Sequence, residues 1–386
     1  MRTMFRAWLS ACLLGGVVGL SANTLAAENP PTGLAERYDL ADTRCPPNDP
    51  GCNQCASDVQ GQFNRAANGQ LAWQTQGWAF NWNQLYPTQR LKPRDLFDGD
   101  AEYLLGIPDK HVQGFVSTRS RRFPYAGSHS HQQQGGIFLI RRANNGQQFL
   151  AVLQQTLTGH PSGVHSLGKY LVYGENQSVF LKDLDAPARR DQQLRLPGPT
   201  ANFGGGLGMV RLASGDYLLV TSGPGGQDAR PRYDRFYHFR LDPRNGRAIQ
   251  PRFLNESPYQ KPSNWPEGFG FAENLSLITE CDTGAIYAIH ATGDQSGLSA
   301  ISGNGYWRLS RLEAVNGALS LLPLTGFAIR QSMASCSMRA AASVQVNPTG
   351  QLVFHCHGYA RDPDGSTLNV LGESNNRFEF RLGLPQ

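Results

Sequence analysis

From about residue 100 onward the chain alternates short apolar runs with polar, glycine-bearing turns, a rhythm that predicts strands rather than helices. Four segments share one layout of apolar strand, Gly-containing turn and second apolar strand. They are GVHSLGKYLVYG (163–174), GMVRLASGDYLLVTSG (208–223), NLSLITECDTGAIYAIHATG (274–293) and AAASVQVNPTGQLVFHCHG (340–358). β-Branched and aromatic residues on both sides of a glycine turn predict a hairpin in each.

A third strand follows every hairpin: SVFLKDL (178–184), RFYHFRLD (235–242), GYWRLSRL (305–312) and RFEFRLG (377–383). The triplet aromatic-Arg-Leu recurs at Phe239-Arg240-Leu241, Trp307-Arg308-Leu309 and Phe380-Arg381-Leu382, which reads as a marker of equivalent positions in a repeated unit. Fourth strands are expected at 191–198, 249–257 and 318–326. An earlier unit is expected with strands at 103–107, 111–120, 135–142 and 148–155. Repeated four-stranded units of this kind resemble the blades of β-propeller repeat proteins, in which radial closure protects the strand edges. The resemblance covers residues 101–386 and is architectural, since the tryptophan-aspartate and kelch signatures are absent. It implies an all-β fold with five blades, or six if the N-terminal region supplies a divergent one. The last unit lacks a fourth strand after Gly383, so closure requires one donated from upstream.

Residues 1–27 carry Arg2 and Arg6, an apolar run from Trp8 to Leu20 and a small-residue end at Ala26-Ala27, the layout of a signal peptide. The resemblance of Leu9-Ser10-Ala11-Cys12 to a lipoprotein box is outweighed by the apolar run continuing past Cys12. No later segment is apolar enough for a membrane-spanning helix. An exported chain, periplasmic or extracellular, is expected to hold its six remaining cysteines as disulfides. Residues 28–100, with Cys45, Cys52 and Cys55, read as a disulfide-pinned N-terminal extension packed on the propeller. Its tryptophans Trp73, Trp78 and Trp82 suit packing better than stacking on a sugar. Without Arg2 and Arg6 the chain holds 33 basic against 30 acidic residues, too even a balance to suggest a nucleic-acid partner.

In propellers the loops entering each first strand and joining second to third strands share one end of the central channel, where ligands usually bind. Here four of the second-to-third loops, among them 119–134, are read as long, whereas the first hairpin turns are short, and function is expected on the long-loop face. Candidate ligand-binding residues there are His129, His131, His160, Glu175, Glu273, Asn274, His290, Arg339, His355 and His357. His129 with His131, and His355 with His357, place two imidazoles on one side of a strand, a spacing that suits a divalent metal but also follows from simple alternation. No Gly-x-Ser-x-Gly elbow is present, and the glycine strings at 204–206 and 223–226 precede no phosphate-binding helix. The expected function is an exported binding protein that recognises a glycan, peptide or protein through this face. The alternative is a hydrolase or lyase at the channel mouth, using a histidine-bound metal or paired carboxylates among Glu175, Glu273 and Asp294.

Overall fold

The computed structural model describes residues 55–81, 110–120, 122–131, 134–142, 149–157, 161–175, 178–198, 205–223, 233–259, 274–293, 305–329, 337–359 and 377–386. Helix α1 (Val59–Ala67) and strand β1 (Leu71–Asn81) come first. Blade one then takes β2 (Lys110–Ser117), β3 (Tyr125–His131), β4 (Gln134–Arg142) and β5 (Phe149–Leu157). Blade two takes β6 (Pro161–Leu167), β7 (Tyr170–Glu175), β8 (Ser178–Asp183) and β9 (Gln192–Leu194). Blade three takes β10 (Gly206–Arg211), β11 (Tyr217–Gly223), β12 (Tyr233–Leu241) and β13 (Ala248–Pro258). Blade four takes β14 (Asn274–Thr279), β15 (Ile286–Gly293), β16 (Gly305–Val315) and β17 (Ala318–Ile329). Blade five takes β18 (Ser337–Val346), β19 (Leu352–Tyr359) and β20 (Arg377–Pro385), with β1 as its outer strand.

The first strands β2, β6, β10, β14 and β18 neighbour one another in turn and β18 returns to β2, so five antiparallel sheets form a closed five-bladed β-propeller. The upstream strand that closure demanded is β1, which pairs antiparallel with β20 from Leu71 opposite Pro385 to Asn81 opposite Arg377. A strand drawn from far upstream ties the two ends of the propeller sequence together and leaves β20 without an open edge. Trp73 is half-buried and joins the apolar cluster between blades four and five, as expected of a packing tryptophan. Trp78 and Trp82 lie outside the residues whose side chains are described.

Apolar clusters fill the wedges between blades. Between blades four and five, Ile289, Trp307, Leu309, Val344 and Phe354 meet Phe63 of α1. Phe63 sits edge-on to Phe327 at 5.1 Å between ring centres. The helix is docked to both blades at the hairpin-turn end of that wedge. Val59 donates its backbone N–H to Glu280 Oε1 at 3.0 Å, while Gln62 donates to the Gly350 carbonyl and accepts from the Leu352 N–H at 2.7 Å. Gly350 has φ +79°, a conformation that suits glycine and turns this carbonyl toward the helix. The Cys55–Cys281 disulfide fixes the same corner to blade four. Cys356 is also disulfide-bonded, its partner lying outside the described residues.

Two readings of the sequence need correction. In the first blade the innermost strand is 110–117, and the segment read as a loop from Arg119 to Gln134 contains β3. Tyr-Ala-Gly-Ser-His-Ser-His carries no β-branched residue and only Tyr125 favours a strand, yet pairing on both sides makes it one. The aromatic-Arg-Leu triplets, moreover, are not equivalent in height. Phe239 pairs with Tyr217 at the hairpin-turn end of blade three, whereas Trp307 pairs with Ala291 at the opposite end of blade four.

Candidate functional site

The end at which inner strands begin and second strands pass to third strands was expected to carry function. Three of its second-to-third connections, 224–232, 294–304 and 360–376, are long, but only two residues separate β3 from β4 and β7 from β8. Between blades three and four, just beneath the long connections, polar side chains gather where a propeller wedge is otherwise apolar. Ser222 and Asp234 face each other directly across β11 and β12, and His290 and Arg308 do the same across β15 and β16. Close approach of the inner strands brings the two pairs together. A Cβ on Gly206 would lie 2.9 Å from Leu275, so only glycine lets β10 and β14 sit this near.

All four side chains are buried: Arg308 is 1% exposed, Asp234 1%, Ser222 3% and His290 0%. Arg308 Nη2 lies 3.0 Å from His290 Nδ1, and His290 Nε2 lies 3.4 Å from Ser222 Oγ. Ser222 Oγ in turn donates to Asp234 Oδ1. Nη2 also lies 3.3 Å from Nε2, so the tautomer is set from the other side. Ser222 gives its proton to Asp234, the ring nitrogen facing it must donate, and Nδ1 keeps the lone pair that the guanidinium addresses. Nε2 then holds the hydrogen and directs it at Ser222 Oγ, whose own proton goes to the carboxylate. One tautomer therefore satisfies an unbroken chain, Arg308 to His290 to Ser222 to Asp234. Tyr259, just after β13, covers it: the Arg308 guanidinium lies 4.3 Å from its ring centre, and the ring meets His290 edge-on at 5.8 Å.

Burial pushes the Asp234 carboxyl up to about 6, against the opposing pull of Arg308 and of the Ser222 hydrogen bond. Burial, reinforced by the Arg308 charge, holds the His290 imidazole well below its ordinary value. At neutral pH the cluster is thus a guanidinium and a carboxylate joined through a neutral imidazole and a hydroxyl. Ser222 finds an N–H rather than a lone pair on its histidine, so the imidazole does not act as its base, and the arrangement is not a nucleophilic triad. Its chemistry is that of a buried guanidinium and carboxylate linked through the imidazole and the hydroxyl.

The candidates named from sequence divide three ways. Asn274 and His290 lie together at this end, both buried, with Asn274 pairing opposite Ala291. Glu175 ends β7 at the same end and is half-buried. His129, His131, Arg339 and His357 stand on strands β3, β18 and β19, but their side chains lie outside the described residues, as do His160 and Glu273 altogether. His111, on β2 opposite Ser130, belongs to this end as well.

His355 does not reach the long-loop face. It lines a cleft of about 500 Å³ between blades one and five on the hairpin-turn side, with Ser117, Arg119, Tyr125 and Gln345. Its ring packs edge-on against Phe115 at 5.9 Å, and burial lowers its pKa to about 3. Ser343 Oγ donates to the Phe115 carbonyl, so the His355 Nδ1 hydrogen is the one directed at that oxygen, 3.4 Å away. His355 is thus buried in the wedge between blades one and five and packs on Phe115. Among the described residues no group of three or more histidine, cysteine or carboxylate side chains is placed to hold a metal ion. Ser222, Asp234 and Tyr259 were not singled out in the sequence. Arg308 was visible only as part of its triplet.

No family model matches the chain, and no curated protein sequence matches it. Solved structures similar to it include the WD40 domain of Pan2 from Neurospora crassa, at 10% identity over 82% of this chain and 96% of that one, TM-score 0.32. The N-terminal domain of Nup159 matches at 10% identity over 90% of this chain and 95% of that one, TM-score 0.30. The polysaccharide lyase Uly1 matches at 10% identity over 68% of this chain and 55% of that one, TM-score 0.27. Similarity at this level carries no activity across. The chain is a five-bladed β-propeller on the strength of its own ring of sheets.

Proposed function

We propose that this chain is an exported binding protein that recognises a glycan, peptide or protein ligand through the long-loop face of its propeller. The observation that carries the reading is the buried Arg308–His290–Ser222–Asp234 chain. It fastens together the strand ends from which connections 224–232, 260–273 and 294–304 leave, and so gives those loops a rigid base. It supplies no activated nucleophile. Export is supported by the leader-like residues 1–27 and by the Cys55–Cys281 disulfide, which persists in oxidising compartments. Among the described residues no helix is long and apolar enough to cross a membrane. Glu175, Glu273, Asn274 and Arg339, with His129, His131, His160 and His357, are the residues we assign to ligand contact.

Glycan and peptide arrays probed with the mature chain test this, alongside a triple variant Glu175→Ala, Glu273→Ala, Arg339→Ala. The expected result is a retained ligand, recovered chemically unchanged, whose binding weakens by about tenfold or more in the variant. A ligand recovered cleaved would replace the binding reading with a hydrolase or lyase. Undiminished binding by the triple variant would remove the long-loop face from recognition.

A further inference from the structure

On the hairpin-turn side, away from the long loops, a cleft of about 820 Å³ opens between the outer parts of blades two and three. One wall is the segment joining β8 to β9 with the residues after β9, and it presents Arg189, Arg190 and Arg195. The other is the turn joining β12 to β13, which presents Arg247. All four arginines are exposed, and none of their side chains makes an ion pair or hydrogen bond among the described residues.

The carboxylates lining the same cleft are already neutralised. Lys182 holds Asp191 at 2.6 Å, with both side chains buried and the Tyr173 hydroxyl donating to the same carboxylate. Lys169 holds Asp183 at 3.1 Å. Among the described residues, four guanidiniums are therefore left facing one groove without an ion-pair partner, an arrangement that self-repulsion disfavours and a bound anion relieves.

The walls are stiff. Gln192 clamps blade two to blade three, accepting from the Ala248 N–H at 2.7 Å and donating to the Ala248 carbonyl at 3.0 Å. The Asp242 carboxylate accepts from the Arg244 N–H and the Asn245 side chain, and Asn245 accepts from the Arg247 N–H. These bonds set the turn that carries Arg247. The fixed backbone of both walls leaves only the arginine side chains to be ordered when a ligand binds. Half-buried Phe180 and the edge of Tyr170 add ring surface to the lining, suited to the apolar faces of sugar rings. An extended peptide is offered little: the adjoining edge strand β9 is three residues long, and Gln192 already bridges it to blade three.

We propose that this groove is a second binding site, independent of the long-loop face, for an acidic glycan whose carboxylate or sulfate groups the four arginines grip. The mature, disulfide-intact chain is titrated with fluorescent oligogalacturonate, a heparin oligosaccharide, neutral dextran and poly-glutamate. The double variant Arg190→Ser, Arg247→Ser takes one cation from each wall. The double variant Arg122→Ser, Arg141→Ser removes two exposed arginines elsewhere and serves as control. Thermal melts establish that both remain folded.

The expected result is salt-sensitive binding of at least one acidic glycan, weakened about tenfold by the groove variant and unchanged by the control, with dextran unbound. Preference between oligogalacturonate and heparin then identifies carboxylate or sulfate as the recognised group. Binding of neither glycan, equal loss in the two variants, or poly-glutamate binding as tightly as the better glycan would each overturn the proposal.

Discussion

His165 stands on inner strand β6, 1% exposed, and its Nε2 lies 2.8 Å from the Met209 carbonyl of the next blade. A carbonyl only accepts, so Nε2 carries the ring hydrogen and Nδ1 is left as a bare lone pair, buried without a partner. Protonating Nδ1 would place an unpartnered charge in the wedge, and burial accordingly lowers the pKa from 6.5 to about 4, only partly opposed by the bond to Met209. The unfolded chain takes up this proton below pH 6.5 while the folded chain refuses it until about pH 4. The stabilising contribution is therefore present above 6.5 and lost as the pH falls toward 4. Between about pH 7.5 and about pH 4.5 the loss from this one residue comes to about 2.5 kcal/mol. His165→Gln keeps a donor for Met209 and removes the titration. Urea unfolding at the two pH values should show the variant losing about 2.5 kcal/mol less stability on acidification than the parent. Parallel losses in the two proteins would refute the reasoning. His355 and His290 act in the same direction. Asp234, raised from 3.8 to about 6, acts in the opposite one: its contribution is full at low pH and is lost as the pH rises through 6.

Other consequences follow from the packing. Arg308→Met leaves the Asp234 carboxylate buried without its counter-charge and should cost about 3–5 kcal/mol in urea unfolding at neutral pH, part of which Asp234→Asn in the same chain should restore. Phe63→Ala empties the wedge between blades four and five and should cost about 3–5 kcal/mol, with α1 the first element to lose exchange protection. Replacing Cys55 and Cys281 by serine opens a loop of sequence separation 226 and should lower stability by up to about 5 kcal/mol, read as a shift of the urea midpoint without reductant, so that the disulfide of Cys356 stays intact.

Blades two to five were readable because their first hairpins have a glycine turn between apolar runs: 208–223 and 274–293 fall on β10–β11 and β14–β15. The need for an upstream strand was also readable, since an unpaired β20 is a liability, but only the fold identifies β1 as the donor. What escaped was whatever depends on height within a blade. Arg240 and Arg308 share a sequence triplet, yet Arg240 is exposed beside Asp216 whereas Arg308 is fully buried beneath the long loops. Periodicity says which face a side chain takes and nothing about which end of the wedge it occupies. For the same reason the Ser222–His290 contact, joining residues 68 apart, left no sequence signal, and His355 was mistaken for a mouth residue. The Arg190 and Arg247 groove is likewise an effect of two separate turns meeting.

Closure of the fifth blade by β1 underlies the rest, because an open ring would hold neither the wedges nor a rigid long-loop face. Amide hydrogen exchange read by mass spectrometry on the native protein tests it directly. If β1 is the outer strand of blade five, the alternate amides of residues 71–75 that face β20 should be protected, so that the segment exchanges more slowly than an unstructured peptide though less slowly than β20, which is paired on both sides. Exchange of residues 71–75 at the rate of an unstructured peptide, with β20 still protected, would contradict the closed five-bladed ring.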